Sequence, residues 1–301
     1  MNMQENMDFK IDVVTSVKSK LGEGPVWDAR SKSIFWLDIE NGIIHEYNIP
    51  LSEYRKIQLD QMVGAIALCT NGNFIAGLQH GIAYINRITG QIQFIAKPEN
   101  DLPENRFNDG KCDPSGRFWA GTMSLKETIG AGNLYMINND ESIALKVQKV
   151  SISNGLAWSI DKKTMYYIDT FNGGVMAFDY NDHSGNISNP RFVVKIPDGE
   201  GFPDGMTIDN QGMLWVAHWA GWQVSRWDPS TGKQLLKIKL PAANITSCTF
   251  GGENFQDLYV TSSNRDVKDE DYHLQPLAGS LFVIKKCGYQ GLPAMEFNQK
   301  N

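Results

Sequence analysis

Arg117-Phe118-Trp119-Ala120-Gly121 has five counterparts along the chain: Ile34-Phe35-Trp36-Leu37-Asp38, Asn73-Phe74-Ile75-Ala76-Gly77, Met165-Tyr166-Tyr167-Ile168-Asp169, Met213-Leu214-Trp215-Val216-Ala217 and Asp257-Leu258-Tyr259-Val260-Thr261. Each is short and rich in aromatic or β-branched residues, which is the composition of a strand. They recur at roughly 40 to 50 residues, the length of a four-stranded propeller blade. Further strands follow them, as in Ile43–Tyr47, Asn133–Ile137, Gly174–Phe178 and Ser280–Ile284. Asn71-Gly72, Pro114-Ser115-Gly116, Asn210-Gln211-Gly212 and Pro229-Ser230-Thr231-Gly232 lie where hairpin turns are required. No long run keeps a helical period.

One such unit cannot bury its faces alone, whereas six packed radially can. The expected fold class is therefore all-β, a six-bladed β-propeller with a metal site in its central channel. Its expected extent is one domain over residues 11–301 behind a flexible tail of residues 1–10. Ile11-Asp12-Val13-Val14-Thr15-Ser16-Val17 is expected to supply the outer strand of the last blade and so close the ring. Trp27-Asp28 and Trp227-Asp228 sit at the wrong point of the unit for a WD40 repeat.

Composition narrows the function. The chain has 301 residues, 42% hydrophobic and 21% charged, with a formal net charge of -6. That acidity comes without a basic run, which argues against nucleic acid as a partner. No segment approaches the roughly 20 apolar residues of a membrane span. The polar first ten residues lack the apolar core of a secretory signal. Cys69, Cys112, Cys248 and Cys287 form no Cys-x-x-Cys pair, and we read them as reduced core thiols of a cytoplasmic protein. The expected assembly is a monomer or a weak homo-oligomer.

Chemistry concentrates at one point of the repeat. Gly22-Glu23-Gly24-Pro25, Asn108-Asp109-Gly110, Ser153-Asn154-Gly155 and Pro203-Asp204-Gly205-Met206 each place a liganding oxygen beside a glycine just before an apolar run. In a closed circular repeat, equivalent points meet at the channel mouth, so Glu23, Asn108, Asn154 and Asp204 should converge, with the glycines allowing tight turns. Two carboxylates about 4 Å apart repel by about 4 kcal/mol at an effective dielectric near 20. A divalent cation removes that cost. An all-oxygen donor set suits Ca²⁺, Mg²⁺ or Mn²⁺ and admits Zn²⁺. With coordination positions left open, the chemistry indicated is metal-assisted hydrolysis of an activated acyl or phosphoryl group. Asp109 and Asp113 are further acids that can act as ligands or as turn caps. His218 is expected to end an inner strand, facing the site or buried as a structural histidine. Trp27, Trp36, Trp119, Trp158 and Trp215 are expected in the core. No Gly-x-Ser-x-Gly elbow or Walker loop is present.

The same segments, with Arg106-Phe107-Asn108-Asp109-Gly110-Lys111, Ala120-Gly121-Thr122-Met123, Tyr166-Tyr167-Ile168-Asp169 and Thr246-Ser247-Cys248-Thr249-Phe250-Gly251-Gly252, resemble the regucalcin family. It is also called the senescence marker protein 30, gluconolactonase and luciferin-regenerating enzyme family. The resemblance runs from about residue 20 to residue 297, with the motifs in family order. It implies a six-bladed propeller with one divalent metal ion (Ca²⁺, Zn²⁺, Mn²⁺ or Mg²⁺) that hydrolyses a sugar lactone to the aldonic acid. Position by position, it implies Glu23, Asn154 and Asp204 as metal ligands and Asp204 as general base. Arg106 and Asn108 would contact substrate hydroxyls. Ser124-Leu125-Lys126-Glu127 departs from the acid pair of animal members, while Ala217–Trp222 and Gly291–Ala294 look more like bacterial lactonases of pentose or hexose oxidation. The alternatives are a phosphotriesterase-type hydrolase using the same site and a non-catalytic calcium-binding regulatory propeller.

Overall fold

The computed structural model describes residues 9–299. Of the expected tail 1–10, residues 1–8 lie outside the described residues. Phe9 packs against the buried cluster around Phe250 and Phe282.

The described chain forms six four-stranded antiparallel sheets. After β1 (Ile11–Lys18), blade 1 comprises β2 (Gly22–Asp28), β3 (Ser33–Asp38), β4 (Ile43–Asn48) and β5 (Glu53–Gln58). Blade 2 comprises β6 (Val63–Leu68), β7 (Phe74–Leu78), β8 (Gly81–Ile85) and β9 (Ile92–Ala96). Blade 3 is built from β10 (Asn105–Cys112), β11 (Phe118–Ser124), β12 (Gly132–Ile137) and β13 (Ile143–Val150). Blade 4 is built from β14 (Ser153–Trp158), β15 (Thr164–Asp169), β16 (Gly174–Asn181) and β17 (Asn186–Lys195). Blade 5 follows with β18 (Phe202–Ile208), β19 (Leu214–Trp219), β20 (Gln223–Asp228) and β21 (Lys233–Lys239). Blade 6 takes β22 (Asn244–Gly251), β23 (Asp257–Ser263) and β24 (Ser280–Ile284), and its outer strand is β1, paired antiparallel with β24. The expected closure by the N-terminal segment is thus present, and it removes the open seam of the ring.

The innermost strands touch in the order β2, β6, β10, β14, β18, β22 and back to β2. Blades 1 and 4, 2 and 5, and 3 and 6 therefore face each other across the channel. The recurring aromatics of the second strands pack onto the next blade: Phe35 meets Phe74 edge-on at 5.2 Å, and Trp119 meets Trp158 at 6.0 Å. Trp215 meets Phe250 at 5.5 Å, while Trp27 stacks on Tyr259 at 5.6 Å. Each fully buried side chain of this size contributes about 1.5–3 kcal/mol. Sequence period and inter-blade packing are one phenomenon.

Glycines beside the candidate site residues serve mainly close approach. A Cβ on Gly205 would lie 2.1 Å from Ser247 Oγ of the next blade, and one on Gly155 would lie 2.6 Å from Met206 Cβ. Neither has a positive φ, whereas Gly24 does at +48°. The expected tight turns are therefore limited to Gly24; at Gly155 and Gly205 the missing side chain lets inner strands crowd the axis.

At the end of the channel where the inner strands finish, the C-terminal segment crosses the opening. Gly291 bridges to Asp209 beside blade 5, and Phe297 bridges to Cys69 beside the opposite blade 2. Asp209 and Asp113 also lock the hairpins that follow their inner strands. Asp113 accepts from the Ser115 and Arg117 backbones and from Arg117 Nε, Trp119 Nε1 and the Tyr180 hydroxyl. Asp209 accepts from the Gln211 and Met213 backbones and from Trp215 Nε1 and Arg226 Nε. Both are fully buried, so Asp113 is a turn lock and not a ligand. Removing one partner of a buried ion pair strands the other charge. Asp113→Ala or Asp209→Ala should each cost about 3–5 kcal/mol, read as a lower urea midpoint; an unchanged midpoint would refute the assignment.

Candidate metal centre

All six inner strands carry a register irregularity near their start. It falls between Glu23 and Val26, Val63 and Ala65, Phe107 and Asp109, Ser153 and Leu156, Pro203 and Met206, and Ile245 and Ser247. A bulge leaves its residue out of the ladder and re-aims the side chain. Asn108, Asn154 and Asp204 lie among the unpaired residues of three of these bulges and Glu23, still paired with Leu37, borders a fourth, all inside their strands and not in the preceding loops, while Gly64 and Thr246 occupy the other two. Glu23, Arg106, Asn108, Asn154 and Asp204 all line one cavity of about 230 Å³, together with Leu21, Met123, Glu127, Ile152, Thr170, Phe171, Phe202, Trp219, Arg265 and Asp266.

A directed set of hydrogen bonds fixes the amides. Arg106 Nη1 donates to Asn108 Oδ1 at 2.7 Å, and Asn108 Nδ2 donates to Asn154 Oδ1 at 3.1 Å and to Ser153 O at 2.8 Å. Asn154 Nδ2 in turn donates to Thr170 Oγ1 at 2.8 Å, and that hydroxyl donates to Pro203 O at 3.0 Å. The relay settles which end of each amide is oxygen, and a carbonyl oxygen has two lone pairs. Asn154 Oδ1 therefore keeps acceptor capacity.

The carboxyl groups of Glu23 and Asp204 are in hydrogen-bond contact and nearly inaccessible to solvent. Burial, reinforced by the charge of Asp109, pushes Glu23 up to about 8. Burial, then the charges of Glu23 and Asp109, raises Asp204 well above the usual carboxylate range. Burial lowers Arg106 to about 10, which leaves it charged at neutral pH. Among the described residues no three His, Cys, Asp or Glu side chains gather as a metal-binding group. Two carboxyl groups in mutual contact, with the oriented Asn154 amide lining the same cavity, nevertheless form a hard oxygen set. That chemistry fits a divalent cation of the Ca²⁺, Mg²⁺ or Mn²⁺ type.

Other expectations resolve differently. Asp109 is buried behind the bulge, bonded to the Gly110 amide at 2.7 Å, and it does not line this cavity. His218 lies in β19, a second strand and not an inner one. Its Nδ1 pairs with Glu200 O at 2.8 Å and its Nε2 with Ser225 Oγ at 2.6 Å, and burial lowers its pKa to about 4. It is a structural histidine. All five tryptophans named above are buried. Residues missed by sequence reasoning include Thr170, whose threonine gave no signal. Also missed was Arg265, which pairs with Glu127 at 3.3 Å and so joins blade 6 to the loop after β11 in the opposite blade 3. Trp219, Phe171 and Phe202 add aromatic surface. No helix among the described residues is long and apolar enough to cross a membrane.

Residues 21–264 match the model of the SMP-30/gluconolactonase/LRE-like region. The chain is 39% identical to regucalcin of Gallus gallus over 293 residues, which is 96% of this chain and 98% of that protein. A solved luciferin-regenerating enzyme superposes with TM-score 0.91 at 30% identity, covering 96% of this chain and 99% of that one. A structure described as a calcium-binding protein, regucalcin, from Agrobacterium tumefaciens superposes with TM-score 0.91 at 27% identity, covering 96% and 97%.

The raised carboxyl pKa values give a pH signature. In unfolded chain Glu and Asp titrate near 4, so metal-free folded protein holds protons that the unfolded chain has released. Its stability is greatest below those unfolded values and is lost as pH rises through about 8. Chelated protein should therefore melt at least about 4 °C lower at pH 9 than at pH 6, the size expected for roughly 2 kcal/mol. A divalent cation should remove the difference, and Glu23→Gln should reduce it, leaving the part that burial of Asp204 contributes. A flat profile for chelated wild-type protein would contradict the carboxyl pairing.

Proposed function

This chain belongs to the SMP-30/gluconolactonase/LRE-like family, and from that premise we propose that it is a divalent-metal-dependent lactonase that opens a five- or six-carbon aldonolactone to the aldonic acid. The observation that carries this reading is the contact between the buried Glu23 and Asp204 carboxyl groups beside the oriented Asn154 amide. Glu23, Asn154 and Asp204 would hold the ion. When bound, a divalent cation supplies the charge that keeps both acids ionised and polarises a carbonyl.

The protein's own groups do the rest. Asp204 is the general base in this reading and accepts the proton of the water that attacks the carbonyl carbon. Arg106 Nη1 is committed to Phe107 O and Asn108 Oδ1, so Nε and Nη2 are the donors available to substrate hydroxyls. Asn108 lines the cavity and contacts substrate while holding Arg106 and Asn154 in register. Phe171, Phe202 and Trp219 present apolar surface to the C–H faces of the sugar and exclude water.

A second reading, a calcium-binding regulatory propeller without turnover, is favoured by the description of the similar Agrobacterium tumefaciens structure as a calcium-binding protein. Acid release from a lactone panel, with a phosphotriester for comparison and with chelated protein reloaded with Ca²⁺, Zn²⁺, Mn²⁺ or Mg²⁺, separates the readings. Asp204→Asn should lower kcat by about 10²–10⁴, the range for loss of a general base. Near-normal hydrolysis by that variant would remove Asp204 from its role, and metal-independent silence on every lactone would favour the regulator.

A further inference from the structure

The channel has a second chamber. The later halves of all six inner strands, together with residues 292–295 of the C-terminal segment, enclose a cavity of about 320 Å³ that shares none of its lining residues with the Glu23 pocket. Its walls are largely apolar, from Pro25, Val26, Ile66, Leu68, Ile208 and Leu292. The rim exposes apolar side chains too, Ile160 at 51% and Met295 at 41%. The volume lies within the range of small-molecule sites.

Polar groups in this chamber are weighted toward donors. Lys111 sends its ammonium into the protein interior, where Nζ donates to Met206 O at 2.7 Å. An ammonium has three N–H groups, so this bond leaves donor capacity. Trp158 lines the chamber with its ring, which also packs against Trp119 and Tyr180. Asp109 is the one carboxylate of the lining among the described residues, and it already accepts from Gly110 N. Lys162 adds a second cation at the rim.

We propose that this rear chamber is a second binding site, for a small apolar monocarboxylate whose chain lies against the aliphatic walls and whose carboxylate meets the ammonium of Lys111. The site is independent of the lactonase reading, because Asp109 and Lys111 separate it from Glu23 and Asp204 and no residue is common to both linings.

Octanoate is the probe, titrated by calorimetry into metal-loaded full-length protein beside octanol. One octanoate should bind per chain at least about tenfold more tightly than octanol, the factor that one charge-assisted hydrogen bond supplies. Ile160→Glu, at an exposed rim position, should weaken octanoate at least about tenfold, while Ile160→Lys should preserve or tighten it. Lactone turnover and melting temperature should be unchanged in both. Lys111→Met, where it folds, should erase the preference for octanoate over octanol. Absence of saturable octanoate binding, equal affinity for octanol, or indifference to the charge placed at Ile160 would each overturn the proposal, whatever the outcome of the lactone assays.

Discussion

Mutual repulsion between two acids governs this molecule. Glu23 and Asp204 come from strands about 180 residues apart, yet their carboxyl groups touch in a place that water barely reaches. Asp109 adds a third negative group nearby and Lys111 a single ammonium. Lys111 offsets Asp109 and Arg106 partly offsets Glu23, but the two touching carboxyl groups can both ionise only at a cost that a divalent cation would remove. Arg106 then stays available at the mouth of the pocket. The same crowding of acids that weakens the scaffold is what the proposed divalent ion would relieve.

Holding the acids there is the work of the backbone. A regular strand alternates its side chains between blade faces and cannot aim one along the channel. The bulge shared by all six inner strands breaks that alternation at one level of the ring, and four polar residues exploit it. Crowding follows, and small residues relieve it at Gly155 and Gly205. The relay from Arg106 through Asn108, Asn154 and Thr170 to the Pro203 carbonyl ties three neighbouring blades together at that level. Shape and polarity are thus fixed before any substrate arrives, as preorganised catalysis requires.

Much of this was legible in the sequence because it repeats. The six aromatic strands announced the blades, since each aromatic must pack on the next copy of its own unit. Glu23, Asn108, Asn154 and Asp204 were legible as a set because one structural device recurs at each. Features without a periodic cause were not. His218 was misplaced by one strand, because an Ala-His-Trp run reads the same on an inner or a second strand. Asp113 and Asp109 looked alike beside Gly and Pro, yet one locks a hairpin through Arg117 and the other is buried with its carboxylate on the Gly110 amide. Thr170 opens a short 3-10 turn after β15 and Arg265 follows β23, and their place in the pocket depends on the closed ring, so no local pattern announces them.

The pairing of β1 with β24 brings nearly opposite ends of the chain into one sheet. A ribosome delivers β1 first and its partner almost last, so during synthesis five blades can assemble while the sixth waits with an exposed edge. Closure therefore waits for β24 and carries a high loop-closure cost, and until then the unpaired edge is open to chaperones or stray strands. Since β2 and β22 also meet only when the ring shuts, Glu23 joins its partners at the same moment. The pocket that Glu23 and Asp204 line is complete only when the ring is.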